Sequence, residues 1–209
     1  MSRAQTSASG RGRRGLKATL FVLALIVVSP AIGLCSLEKR LLRGELLFGF
    51  FAELGALVPG FLGRWLRGAY YFGTLERCSW ETHVGFGSLF THRGAQVGRH
   101  VSTGAYCVIG HAQIGDEVRI GSRVSLPSGR HQHLDAHGRL APVTRFERVT
   151  IGARSWVGEG AIVMADVGSG CIVSAGAVVS RAVPDGQLVA GNPAQIVRAV
   201  DAAPGGEGS

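Results

Sequence analysis

The stretch from Val149 to Val183 returns an aliphatic residue followed by a small one at a six-residue step. Its frames read IGARSW from Ile151, VGEGAI from Val157, VGSGCI from Val167, VSAGAV from Val173 and VSRAVP from Val179. The fifth places hold Ser155, Ala161, Cys171, Ala177 and Val183. A helix turning every 3.6 residues scatters such positions over all its faces, and a two-residue strand alternation leaves the recurring glycine unexplained. A coil with three short flat sides per turn accounts for both. The first residue of each frame fills the interior, and the fifth sits where the wall bends and only something small fits. Stacked turns then bury one another, as a quasi-one-dimensional solenoid requires.

The same register runs upstream through TGAYCV from Thr103, IGDEVR from Ile114, IGSRVS from Ile120 and LPSGRH from Leu126. Frames are shortened at Ile109 to Gln113 and at Val163 to Asp166, and the register breaks wholly between His131 and Arg148. These breaks are read as loops leaving the coil. The first frames, VGFGSL from Val84 and FTHRGA, are irregular, as befits a terminal repeat, and regularity sets in at Val97. The coil is therefore expected over residues 84–183 with a loop at 132–148. Residues 184–200 leave the register at Pro184 and are expected to cover the last turn as a strand or short helix, before a disordered polar tail at 201–209.

Ahead of the coil, residues 1–15 form a Ser/Arg/Gly-rich basic leader, expected to be disordered, and residues 16–72 a helical region read as membrane-spanning or interfacial. Leu16 to Cys35 is almost unbroken apolar sequence, long enough to span a bilayer. A cleaved signal peptide is the rival reading. The retained membrane helix is favoured by the next apolar segment: Leu46 to Leu62 holds one acid, Glu53, and leads into Trp65, Arg67, Tyr70 and Tyr71, which read as an interfacial belt. Three arrangements stay open for this second segment: a return through the membrane, a piece lying in its interface, or a soluble helix capping the coil.

The net charge of +8 is concentrated near the N-terminus beside the apolar run, without a basic helix or an aromatic-interleaved patch, so it suits a membrane surface and not nucleic acid. The four cysteines make no CxxC or Cys/His spacing. Cys107 and Cys171 fall at fifth places and are read as packed thiols, while Leu34 before Cys35 argues against a lipoprotein acceptor. His100, His111 and His131 lack the short fixed step of a three-histidine zinc site on such a coil, and no metal is expected.

Chemistry is expected where the register breaks. His131 closes a coil frame at the mouth of the loop, and an imidazole held there titrates near physiological pH. It suits a general base that takes the proton of a hydroxyl or amine as that group attacks an activated acyl carbonyl, with backbone N–H groups of neighbouring turns meeting the oxyanion. His133 competes for the role.

His131, then Trp156 with Gly158 in a hexapeptide, then AGNPA at Ala190 to Ala194 and Arg198 together resemble the sugar O-acetyltransferases of the hexapeptide-repeat acyltransferase family. The resemblance covers about Val97 to Val200. It implies an all-β left-handed parallel β-helix, here with an N-terminal α-helical membrane-attachment region, and acetyl-CoA as acyl donor. It further implies His131 as base, Trp156 beside the pantetheine arm, Gly158 and Ala175 close to the thioester, and Arg181 and Arg198 at the CoA phosphates. Arg181 stands where the family commonly has lysine. Ser102 falls nearest by register to an acceptor-holding asparagine, and His133 and Asp135 join it on the substrate side. The family's habit implies a homotrimer with each site in a groove between coils. Membrane attachment turns the expected acceptor into a sugar hydroxyl of a lipid-linked or nascent surface polysaccharide, at a bacterial-type inner membrane with the coil facing the cytoplasm. N-acetylation of an amino sugar and an inactive membrane-tethered scaffold are the alternatives.

Overall fold

The computed structural model describes residues 3–42, 44–129, 133, 137, 139–142, 144 and 146–200, with side chains from Gly15 onward. His131 and Asp135 lie outside the described residues, as do Met1, Ser2 and the tail at 201–209.

The hexapeptide register produces a left-handed parallel β-solenoid of about six turns. Its first face carries β1 (Arg77–Cys78), β3 (Gln96–Val97), β6 (Ala112–Ile114) and β9 (Val149–Ile151). The second carries β4 (Ser102–Thr103), β7 (Arg119–Ile120), β10 (Trp156–Val157), β12 (Ile172–Val173) and β14 (Gln187–Ala190). The third carries β2 (Leu89–Phe90), β5 (Val108–Ile109), β8 (Ser125–Leu126), β11 (Ile162–Val163) and β13 (Val178–Val179). The core is a column of first-place residues, among them Ile151, Val157, Val173 and Val179, each at most 1% exposed. Burying one such side chain contributes about 1.5–3 kcal/mol. Ser155, Ala161, Cys171 and Ala177 are buried at the bends, as their place in the frame requires. Burial raises the Cys107 thiol above its usual range and makes it the packed, unreactive group expected.

Outward residues are not under that constraint, and the three faces diverge. Arg77, Gln96, Gln113 and Thr150 make the first face polar. Leu89, Val108, Ile162 and Val178 make the third face aliphatic, broken by Ser125. The coil begins earlier than Val84: β1 already pairs in parallel with β3, a turn that carries no aliphatic-small frame to announce it. At the other end β14 continues the second face beyond Pro184, and β15 (Gln195–Ala199) folds back antiparallel upon it. The capping segment is thus strand and not helix.

Three helices close the N-terminal end: α1 (Arg3–Leu41), α2 (Leu46–Ala56) and α3 (Gly60–Thr74). The leader, expected to be disordered, continues α1 back to Arg3, since extending a formed helix is far easier than nucleating one. Only the stretch Gly15–Leu41 is, among the described residues, long and apolar enough to cross a membrane. Leu46 to Leu62 is divided between α2 and α3, which pack on the coil's first turn. The belt reading fails for three of its members: Arg67, Tyr70 and Tyr71 are at most 4% exposed. Arg67 donates to the carbonyls of Val84, Gly55 and Val58, Tyr70 donates its hydroxyl proton to the Phe48 carbonyl, and the Tyr71 hydroxyl accepts from the Phe90 N–H. Each aromatic or cation is held in the cap by backbone groups of the helices and of the coil's first turn.

Candidate active site

Strand register places one residue of every second-face strand in a single outward ladder. His83 bridges to Ser102, which pairs with Arg119, then Trp156, Ile172, Leu188 and Arg198. Neighbouring strands are about 4.8 Å apart, so Trp156 stands about 14 Å from His83 at one end and about as far from Arg198 at the other. Three of the sequence-derived site residues, Ser102, Trp156 and Arg198, therefore share one surface. Trp156 is 54% exposed, an indole offering its face outward with no core role. Gly158 and Ala175 follow β10 and β12 at the corner between the second and third faces. A Cβ on Gly158 would lie 2.5 Å from the Ala175 backbone nitrogen, so this glycine is required by the stacking of turns whatever binds beside it.

Two ladder residues were missed by the sequence reading, Arg119 and His83. Both occupy the position just before an inward aliphatic residue, Ile120 or Val84, as Trp156 does before Val157. That offset was the available signal. His83 opens into a cavity of about 600 Å³ lined by Lys17, Ala18, Trp65, Trp80, Glu81 and His100, where the helical cap meets the ladder. Burial, assisted by the charges of Arg64 and Lys17, pushes the His83 imidazole down to about 4, so it is neutral at pH 7. His100, whose backbone adopts the left-handed region at φ 56°, sets its Nε2 3.5 Å from the Glu81 carboxylate.

A second group of site residues lies elsewhere. The loop leaves after β8 and returns at β9, at the corner between the third and first faces. His133 is exposed there, with its Nδ1 3.3 Å from the Thr144 hydroxyl and its carbonyl accepting from the Ala141 N–H. Arg148 anchors the returning strand by donating to His111 Nε2 and the Glu76 carboxylate, and Phe146 packs on the His92 ring with centroids 4.1 Å apart. Arg181 lines the same corner, in an open cavity of about 430 Å³ with Gly129, Glu147 and Asp166. Arg181 is thus separated by the width of the third face from Trp156, with which it was expected to share CoA. Among the described residues no three metal-ligating side chains come together.

No family model matches the chain. A Schizosaccharomyces pombe protein provisionally named an acetyltransferase is 33% identical over 90 residues, 42% of this chain and 43% of that protein. The 2,3,4,5-tetrahydropyridine-2,6-dicarboxylate N-acetyltransferase of Staphylococcus aureus is 38% identical over 80 residues, 34% of this chain and 32% of the enzyme. The chain therefore spans less than half the length of these curated relatives. Among solved structures, the maltose O-acetyltransferase from Clostridium difficile 630 superposes with a TM-score of 0.66 at 18% identity, over 80% of this chain and 89% of that one. A hexapeptide-repeat acetyltransferase from Vibrio cholerae, solved with acetyl-CoA, gives 0.62 at 23% identity over 72% and 84%. These structures share the coil. By its repeat and by its fold, the chain is similar to the hexapeptide-repeat acyltransferases, with whose solved members it shares the parallel β-solenoid.

Proposed function

We propose that this chain is an acetyl-CoA-dependent O-acetyltransferase, attached to a bacterial-type inner membrane with its coil in the cytoplasm, acting on a sugar hydroxyl of a lipid-linked or nascent surface polysaccharide. The observation that carries the reading is the division of the site residues. Trp156, Ser102 and Arg198 stand on one side of the aliphatic third face, and the loop with Arg181 stands on the other. Burying Val108 and Ile162, 47% and 39% exposed, against a second copy brings the loop of one chain toward the Trp156 ladder of the next. Repeating that contact until it closes builds the homotrimer proposed here.

In this arrangement acetyl-CoA lies along the ladder, its pantetheine arm on the Trp156 face and its phosphates at Arg198 and at Arg181 of a neighbouring copy. The acceptor enters from the cavity at His83, which Lys17 of α1 borders and which two tryptophans make suitable for a sugar ring. Ser102 holds the hydroxyl, with His133 and Asp135 on the acceptor side. His131 takes the hydroxyl proton while the oxygen attacks the thioester carbonyl. The tetrahedral intermediate collapses, the C–S bond breaks, and the CoA thiolate takes the proton back from the imidazolium. Similarity to an N-acetyltransferase over 80 residues keeps an amino-sugar acceptor as the second reading.

The test is CoA release from acetyl-CoA by the detergent-purified chain, with lipid-linked and soluble saccharides and an amino sugar. Turnover is expected with a hydroxyl acceptor and is expected to fall about 10²–10⁴-fold in His131→Ala, the usual contribution of a general base. Loss confined to His133→Ala would move the base, turnover with the amino sugar alone would select N-acetylation, and absence of acetyl-CoA binding would leave a scaffold.

A further inference from the structure

α1 is apolar along two adjoining stripes, roughly a quarter-turn apart on a helix of 3.6 residues per turn. Phe21, Ala24, Val28, Ala31, Cys35 and Glu38 advance by alternating three- and four-residue steps and face α3 and the coil. On the second stripe Leu23, Val27, Leu34 and Leu41 are 47–70% exposed, and Ile26 and Leu37 carry the apolar surface farther round at 62% and 52%. A helix apolar all round belongs in a core or in a membrane. Half of α1 already has its core.

Both ends of this helix are fastened to the first turn of the coil. Phe21 meets Phe72 and Trp80 edge-on, with centroids 5.3 and 5.9 Å apart. Toward the other end Arg93 donates to the Glu38 carboxylate and to the Cys35 carbonyl, each at 2.8 Å. From Phe21 to Glu38 a helix advances about 26 Å, yet Trp80 and Arg93 flank a single turn, between β1 and β3. α1 therefore lies across the end of the coil and does not lead away from it. To cross a hydrocarbon core of about 30 Å it would have to break those contacts or take the coil's first turn with it.

Phe50 and Leu54 of α2, Leu57, and Phe61 at the start of α3 are likewise more than half exposed. The exposed ionisable side chains of the described helices are Lys17, Lys39, Arg40 and Arg64 against Glu53 alone. We infer that α1 lies in the plane of the membrane interface and forms, with α2 and the start of α3, a monotopic platform for a bilayer with anionic headgroups. Apolar side chains enter the acyl boundary while the cations meet the headgroups. Glu53, beside Leu54, opposes deeper entry. This rests on the membrane attachment proposed above and not on the chemistry.

Flotation of the full chain with phosphatidylcholine vesicles, with and without phosphatidylglycerol, tests it without any acetyl donor, so its result stands apart from the turnover assay. Binding is expected, stronger with the anionic lipid, more than tenfold weaker in Leu23→Glu/Val27→Glu and stronger in Glu53→Leu. Unchanged circular-dichroism melting of these surface variants would show that the fold is intact. Side of attachment is read with an impermeant maleimide in sealed inside-out membrane vesicles, at Gly15→Cys and Gln113→Cys in a Cys78→Ala background. Both are expected to label before lysis. Protection of one and not the other would establish a spanning helix and overturn the inference, as would failure to float with either vesicle.

Discussion

The two ends of the solenoid are closed by different means. At the C-terminal end β15 folds back on β14, and five exposed residues suffice to cover the last strand. At the N-terminal end three helices extending to Thr74 do the same task, with Phe48, Tyr70 and Tyr71 buried against the first turn and a broad apolar surface left on the outside. Capping a coil demands satisfied backbone groups and one covered layer of core. The C-terminal end shows how little that takes. What the N-terminal end has beyond it, the second stripe of α1 and the exposed leucines and phenylalanines of α2 and α3, calls for a function other than capping.

The comparison is broken most sharply at Arg93. Its guanidinium and Glu38 form a buried pair, and Glu38 also accepts from the Leu47 and Phe48 N–H groups, so α1, α2 and the coil meet at one charge cluster. Arg93→Ala leaves that carboxylate buried without its cation and is expected to cost about 3–5 kcal/mol. Glu38→Leu with Arg93→Met should cost much less, because both charges go together. Chemical denaturation of the two variants measures the difference. At the other end, deleting residues 195–209 removes the few backbone hydrogen bonds between β14 and β15, each contributing roughly 0.5–1.5 kcal/mol, for a total of roughly 1–3 kcal/mol. If the deletion equals Arg93→Ala in effect, the two ends are equivalent and the contrast fails.

The coil was legible because every turn repeats one steric demand. Val157 and Ala161 are buried for the same reason as Val173 and Ala177, so five frames suffice to read the whole. The cap was not legible, because its demands occur once. Nothing in the local sequence distinguishes an Arg67 that donates to the Gly55, Val58 and Val84 carbonyls from an interfacial arginine, since the acceptors come from two other elements. The candidate site stands between these cases. Ser102 and Trp156 fall on one ladder because register is periodic, while Arg198 joins them only through the antiparallel return of β15, and the separation of Arg181 from Trp156 depends on which corner each residue occupies, a count that shortened frames obscure.

The smallest expected effect is a difference in pH response between the ends, and it is carried by His83. Its imidazole is held down to about 4 in the folded chain, first by burial and then by Arg64 and Lys17, against 6.5 for an unperturbed histidine. As pH falls below 6.5 the unfolded chain takes up this proton before the folded one does, so stability drains from the folded state. The contribution is complete above pH 6.5 and is lost as pH falls toward 4. Because the ring remains partly exposed in its cavity, the effect is modest and must be read against a variant. The melting temperature is expected to fall more steeply from pH 6.5 to pH 4.5 in the natural chain than in His83→Gln. The same comparison in the chain lacking residues 195–209 should give the same difference, since β15 is remote from the cavity. Equal slopes in the natural chain and His83→Gln would mean that water reaches the imidazole freely and that the junction of α1 with the first turn is open, and the tight N-terminal closure on which the contrast depends would then have to be given up.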